Sequence, residues 1–418
     1  MAIYLYNVSI FLLKVAAYIG AIFSKKTKLF VDGRKGLIEA ISNDLKENIA
    51  PIAWFHCASL GEFEQGRPVM ESFKKEFPDY LIVLTFFSPS GFEVRKNYSG
   101  ADFIYYLPLD TAKNARLFIS IVNPTLAYFV KYEFWHHFIR ELYKNQIPII
   151  SISSIFRRDQ LFFKNYGSFY REILFRFNHF FVQNVLSKEL LNDIGIKQIT
   201  VSGDTRFDRV FSICQATQNL PLIEKFCKEK LLMVIGSSWP QDMEILTPFI
   251  NQNRNKLKFI IAPHEIGERN IRKIETDLTC SNVRLSKTST DEVSDFDTLI
   301  IDNIGMLSSI YKYADFTYVG GAFGKGLHNI LEAATFGSPI FFGNRNYKKF
   351  QEANDLIELG GAFAIGDSDD LEQKMSEFIN DPESIKKTAK ISTDYVERHT
   401  GATEQIIRYS IEILKGSM

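Results

Sequence analysis

Residues 52–68 read IAWFHCASLGEFEQGRP. The run Ile52 to Cys57 is short and apolar, which reads as a strand, and the run that follows from about Glu62, with its amphipathic stretch Gly66 to Phe77, reads as a helix. Ser59-Leu60-Gly61-Glu62 has the S-x-x-E form of a capping box, in which Ser59 accepts from the backbone of Glu62 and the carboxylate reaches back. Outward from this segment the alternation repeats. Candidate strands lie at Leu81 to Thr85, Phe103 to Tyr106, Leu126 to Val130, Ile147 to Ser151, His179 to Gln183 and Gln198 to Val201, with a further helical stretch at Thr111 to Ile121. The rhythm restarts at Leu231 to Gly236, Lys258 to Ala262, Thr298 to Ile301, Phe316 to Val319 and Pro339 to Phe342. Strands separated by helices imply parallel, doubly wound sheets, so the chain is expected to be α/β with two Rossmann-like domains joined within Phe207 to Leu222.

A length of 418 residues, with 46% hydrophobic and 23% charged side chains, suits two large globular domains and excludes a disordered or disulfide-stapled chain. Lys and Arg number 49, as do Asp and Glu, so no overall electrostatic attraction to nucleic acid is expected. The halves differ: residues 1–210 carry 26 basic and 20 acidic side chains, and residues 211–418 carry 23 and 29. The basic half suits an anionic surface or ligand. Cys57, Cys214, Cys227 and Cys280 form no CxxC pair and read as free thiols of a reducing compartment.

From Ile3 to Phe23 the chain is nearly all apolar and is followed by Lys25, Lys26 and Lys28. A membrane span needs about 20 apolar residues, which are present, but Lys14 sits mid-stretch, where insertion scales charge roughly 2.5 to 3.5 kcal/mol. A helix lying in the membrane interface therefore competes with a span, and a core helix is the plain alternative. A cleaved signal is not expected, because no charged segment precedes the run and no small-x-small site follows it.

Ligands of open parallel sheets bind beyond the carboxyl ends of the strands, so the loops there hold the candidate site. Gly61 beside Glu62 lets a substrate approach and puts a general base at a strand tip, against the plain reading of a helix cap. Glu133, in FVKYEFWHHF with Trp135 beside it, is either a second site carboxylate or an acid favoured by a helix macrodipole. After Tyr318 to Gly321 the chain continues GGAFGKGLHNILEAATFGSPIFFG, which is neither a Walker A loop nor a GxGxxG fingerprint. Its glycines feed a helix expected from about Asn329, whose free N–H groups suit a phosphate, with Glu332 placed for ribose hydroxyls. Asp295-Phe296-Asp297 and Asp367-Ser368-Asp369 match D-x-D but read as caps or surface loop, His136-His137 as structural or exposed, and no metal-ligand set is expected. Phe162 to Phe181 has helical spacing of aromatic residues, read as core or as a lipid-phosphate contact. Lys287 to Asp297 reads as a polar loop.

Taken in order, VDGRKG, WFHCASLGE, LTFFSPSG, KYEFW, SGDTRFD, IAPHEIG and GKGLHNILEAATFGSPIFFG, behind a hydrophobic N-terminal segment, resemble the Kdo transferases, which add 3-deoxy-D-manno-octulosonic acid to a lipid A precursor. The resemblance implies a GT-B fold in which two Rossmann-like domains face a central cleft. It implies residues 1–24 as a membrane-associating helix, 25–212 as the acceptor domain and 213–418 as the donor domain, the last helix packing back on the first domain. It also implies inverting transfer from CMP-Kdo to a lipid IVA type acceptor, with no metal or cofactor, at the cytoplasmic face of a Gram-negative inner membrane. By likeness, Glu62 is the general base, Glu133 and Arg206 stabilise the transition state, and CMP contacts Pro263, His264, Ile304, Gly305, Met306, Asn329, Ile330, Leu331 and Glu332.

Two departures stand out. Ala262-Pro263-His264 replaces the usual Pro-Arg-His, leaving Lys325 or Arg345 as the candidate donor-side cation, and Lys131 stands where an acid is common. Competing readings are another GT-B transferase, a nucleotide-sugar epimerase, for which the apolar helix has no use, and a non-catalytic binding module.

Overall fold

The computed structural model describes residues 2–216, 219–228 and 230–416 and divides into two units, Met1–Arg209 with Thr400–Met418, and Val210–His399. In the first unit the strands are β1 (Ile52–Cys57), β2 (Leu81–Phe86), β3 (Phe103–Tyr106), β4 (Leu126–Val130), β5 (Ile149–Ser154), β6 (His179–Val182) and β7 (Ile199–Val201). Its helices up to the unit boundary are α1 (Ala2–Phe23), α2 (Lys25–Asp32), α3 (Leu37–Asp44), α4 (Leu60–Glu76), α5 (Pro89–Arg95), α6 (Ala112–Val122), α7 (His136–Lys144), α8 (Ser168–Leu174) and α9 (Val185–Asp193), with α10 (Arg206–Gln215) beginning at the boundary. The sheet is parallel throughout, in the order β3-β2-β1-β4-β5-β6-β7.

Alternation along the strands fills both faces of this sheet. Trp54 and Phe129 point into one core with Phe118 and Phe138, while the adjacent Phe55 and Tyr128 point into the other with Phe63 and Phe73. The Phe55 and Tyr128 rings stack at 4.4 Å. Gly66 lets α4 settle on the sheet, since a Cβ there would meet Cys57 Sγ at 3.1 Å and Val130 at 3.2 Å.

The second unit contains α11 (Pro221–Phe226), β8 (Leu231–Ser238), α12 (Pro240–Asn253), β9 (Leu257–Pro263), α13 (Glu268–Asp277), β10 (Asn282–Arg284), β11 (Thr298–Ile300), α14 (Leu307–Ile310), β12 (Phe316–Val319), α15 (Leu331–Phe336), β13 (Ile340–Gly343), α16 (Gln351–Leu359), β14 (Ala362–Ile365), α17 (Ser368–Asn380) and α18 (Pro382–Arg398). Its sheet is also parallel, in the order β10-β11-β9-β8-β12-β13-β14. A last helix, α19 (Ala402–Gly416), belongs to the first unit. Ile406 and Leu414 enter that unit's core, and Asp208 caps the start of the helix by accepting from Gly401 N at 2.6 Å and Thr403 N at 2.7 Å.

The α/β class with two parallel sheets is as expected, and every expected strand is present with its ends shifted by no more than three residues. Strands β10 and β14 escaped the reading: the first is three residues long and the second alternates weakly, both at sheet edges. Three local expectations are corrected. The capping box does not form, because the Ser59 hydroxyl donates to the Glu62 carboxylate instead of accepting from the helix backbone. The helix expected from Asn329 starts at Leu331, since Asn329 Oδ1 accepts from Leu331 N and itself acts as a cap. Phe162 to Phe181 is not one helix: a 3-10 turn at Leu161–Phe163 and α8 are separated around Gly167, and β6 claims the end of the run.

Helix α1 is the one described helix long and apolar enough to cross a membrane, and only 11% of its most apolar window is buried. It is thus no core helix. Its apolar exposure includes Phe23, Ile22 and Leu5, while Tyr6 and Asn7 dock it on the first unit: the Tyr6 hydroxyl donates to Asp110, and Asn7 Oδ1 meets His137 Nε2 at 2.7 Å. Asp110 in turn caps α7, accepting from His137 N and Phe138 N at 3.0 Å each.

Candidate active site

In each sheet the strand order reverses beside the first strand, between β1 and β4 in the first unit and between β8 and β12 in the second. Such switch points open a crevice at the carboxyl ends of the strands. The expected site residues fall at these ends.

In the first unit, Glu62 is half-buried on the first turn of α4 after β1, and Glu133 is half-buried after β4. A relay of buried side chains holds Glu133. Trp54 Nε1–H can only donate, and it reaches Thr85 Oγ1 at 2.9 Å. The Thr85 hydrogen then has His56 Nδ1 at 2.8 Å, against the Phe55 carbonyl at a weaker 3.4 Å. With its proton on Nε2, His56 donates to Glu133 Oε2 at 3.1 Å, while Trp135 Nε1 donates to the same oxygen at 2.7 Å and lies 3.2 Å from His56 Nε2. Among the described residues no Lys or Arg pairs with Glu133. Lys131, just ahead, takes φ +61°, a conformation costly for a side chain and concentrated at functional sites.

Arg206 opens α10 and is pinned by Asp204, whose carboxylate accepts from Arg206 Nε and Nη2 at 3.0 Å. Asp204 also accepts from Gln65 at 2.8 Å, and Thr205 Oγ1 bonds the Gln65 carbonyl and Ser153. Gln65 lies one turn after Glu62, so the structure ties the Arg206 loop to the Glu62 helix. Ser153, at φ +50°, is a second strained residue at a strand tip.

In the second unit, Pro263 ends β9, and the exposed His264 ring stacks at 4.2 Å on Trp239, which follows β8. His328 completes the stack, 4.6 Å from His264, and accepts from Trp239 Nε1 at 2.8 Å. Burial and the neighbouring His264 hold His328 below the usual histidine range. Asp242 knits this region, accepting from Trp239 N, Gly321 N and Tyr318 Oη, and Gly321 is at φ +99°, which its lack of a Cβ permits. Lys325 Nζ lies 4.9 Å over Trp239 and Arg345 lies over Phe323 at 5.6 Å. Glu332 bonds Asn329 at 3.3 Å and Ser308. Ile304 is exposed, Gly305 is at φ +98°, and Met306 caps α14. The Ile330 and Leu331 side chains are buried, and Leu331 N–H is already held by Asn329.

Sequence reasoning missed His56, Thr85, Trp135's bond, Asp204, Gln65 and Trp239. Polar residues inside apolar strands, His56 in IAWFHC and Thr85 in LIVLTF, were the available signal. His136 and His137 are buried around Tyr6, as the structural reading had it. Asp367 caps α17, accepting from Asp370 N at 2.9 Å.

Residues 31–209 match the family model described as 3-deoxy-D-manno-octulosonic-acid transferase (kdotransferase). The chain is 27% identical over 328 residues to a 3-deoxy-D-manno-octulosonic acid transferase of Chlamydophila psittaci, covering 75% of this chain and 74% of that one. It is 27% identical over 366 residues to one of Aquifex aeolicus, covering 84% and 94%. Among solved structures it resembles the UDP-GlcNAc 2-epimerase of Neisseria meningitidis, with TM-score 0.58, 14% identity and 86% and 99% of the chains covered. It also resembles MurG of Acinetobacter baumannii, with TM-score 0.54, 11% identity and 86% and 98% covered. Identities this low speak for a common fold, here GT-B, and not for a common substrate.

Proposed function

Because the chain belongs to the 3-deoxy-D-manno-octulosonic acid transferase family and is a glycosyltransferase, we propose that it moves Kdo from CMP-Kdo to a phosphorylated lipid A precursor, with inversion and without a metal. The acceptor hydroxyl gives its proton to Glu62 as its oxygen bonds the anomeric carbon. The bond from that carbon to the phosphate oxygen breaks, and CMP leaves with the electron pair. Positive charge on the sugar ring is met by Glu133, and Arg206, aligned by Asp204, supplies positive charge for the negative charge that develops.

The donor is held by Pro263, His264, Ile304 to Met306, and Asn329 to Glu332, the last with Ile330 and Leu331 as supporting backbone. The flat Trp239–His264 surface suits a nucleotide base, and Lys325 beside it supplies the cation that the absent arginine would have given. The exposed apolar face of α1 and the basic first half support a location on the inner membrane, at its cytoplasmic face, where an anionic lipid acceptor would be met.

The observation that carries this reading is the Glu133 carboxylate, oriented by two N–H donors and uncompensated by any Lys or Arg among the described residues. A carboxylate prepared in this way favours a cationic transition state. Purified protein with CMP-Kdo and EDTA tests it: CMP release that requires the lipid A precursor, with the lipid gaining whole Kdo masses, is expected. Release without acceptor, loss of activity in EDTA, or no release from well-folded protein would contradict acceptor, metal independence or donor in turn.

A further inference from the structure

Lys14 has no carboxylate partner among the described residues, although it sits in the middle of the apolar helix α1. Its position explains this. Tyr6, Ile10, Lys14 and Ala17 recur at three- and four-residue spacing and so share one face of the helix, the face that docks on the first unit. There Lys14 lines a cavity of about 270 Å³ between α1, α2 and the start of α6, together with Tyr18, Phe30, Arg34, Lys35 and Leu109. Three cations line this space and no carboxylate does. Asp32, which pairs with Lys35 at 2.7 Å, is not part of the lining.

Arg34 is the most constrained of the three. Its guanidinium donates to the carbonyls of Leu107, Phe30 and Phe87 at 2.9, 2.9 and 2.8 Å and lies 3.8 Å over the Phe30 ring. Three of its five N–H groups are thereby used, and among the described residues the other two have no hydrogen-bond acceptor and the charge has no carboxylate partner. Burial with no compensating acid holds its pKa down to about 9. A positive, apolar-walled cavity beside a helix with an exposed apolar face matches a molecule with an anionic head and a hydrocarbon chain.

We propose that this cavity binds the phosphate of a bilayer glycerophospholipid between Lys14 and Arg34, with the chain lying along α1. The site is separate from the catalytic cluster, since neither Glu62, Glu133 nor Arg206 lines it, and the proposal does not depend on which sugar is transferred. It also accounts for a lysine in the middle of an apolar helix: its ammonium meets a phosphate and not the hydrocarbon.

Full-length protein in dodecylmaltoside micelles is titrated with dihexanoyl phosphatidic acid and followed by native mass spectrometry and calorimetry. One saturable adduct is expected, weakened at least about tenfold by Lys14→Gln, the equivalent of losing one charge-assisted hydrogen bond. The pair Lys25→Gln with Lys26→Gln, basic residues outside the cavity, is expected to leave it unchanged. Lys14 is solvent-accessible, so equal melting temperatures are expected and separate binding from folding. No saturable adduct, an adduct indifferent to Lys14→Gln, or displacement by an equal concentration of inorganic phosphate would overturn the proposal.

Discussion

Thr85 Oγ1 decides which nitrogen of His56 carries a proton, and through it how Glu133 is aimed. Thr85→Val keeps the shape but leaves Trp54 Nε1 and His56 Nδ1 without partners. We expect a stability loss of about 1–3 kcal/mol in denaturant unfolding and a fall in kcat with donor KM unchanged. Thr85→Ser should restore both. A KM rise with kcat intact would mean the relay serves only packing. His136 gives a contrasting case: its Nδ1 is buried with no hydrogen-bond partner among the described residues, and its ring stacks on Phe169 at 4.8 Å. His136→Phe is therefore expected to be neutral or stabilising at pH 7. At this scale the sequence was partly legible. Glu62 and Glu133 follow strands and could be found from the strand-then-loop pattern. The residues that hold Glu133 belong to three different strands, β1, β2 and β4 with its loop, and nothing in a one-dimensional pattern pairs Trp54 with Thr85.

The elements were legible wherever an apolar run had a length and a boundary. β1, β4 and β12 lie where the runs put them, because strands buried on both faces announce themselves as unbroken apolar segments. The helix starts were less legible, since side chains compete with the backbone there: Ser59 turned to Glu62, and Asn329 moved the start of α15 to Leu331. α19 depends on such a start. Asp208 takes two backbone N–H groups and the Thr403 hydroxyl, the last at 2.7 Å. Asp208→Ala should cost about 0.5–2 kcal/mol, read as a lowered melting temperature, with proteolysis near residue 400 becoming faster. Unchanged stability would show that packing of Ile406 and Leu414 alone holds the helix.

For the molecule as a whole, acid is the informative stress. Burial, then the charges of His137, Arg176 and Arg140, hold His136 down to about 4, and burial holds His179 to about 4. Both are neutral in the folded state and would protonate near the model-compound value of about 6.5 when unfolded. The unfolded state thus binds more protons between these values, so their contribution is complete above about pH 6.5 and is lost as pH falls toward 4. Chemical unfolding over that window should show stability falling by at most about 1.4 kcal/mol per pH unit for each proton, and falling less in His136→Phe. A wild type whose stability is flat from pH 6.5 to 4 would contradict this. Two units, each with its own parallel sheet and its own reversal of strand order, give the molecule two crevices. One has the carboxylates and the other the aromatic stack, and the proposed mechanism has Glu62 take the acceptor proton in the first. The most direct measurement compares wild type with Glu62→Gln for CMP-Kdo binding by calorimetry and for single-turnover transfer to a lipid A precursor. Binding within a few-fold of wild type, with transfer slowed about 10²- to 10⁴-fold, is the predicted result, whereas transfer within a few-fold of wild type would contradict it.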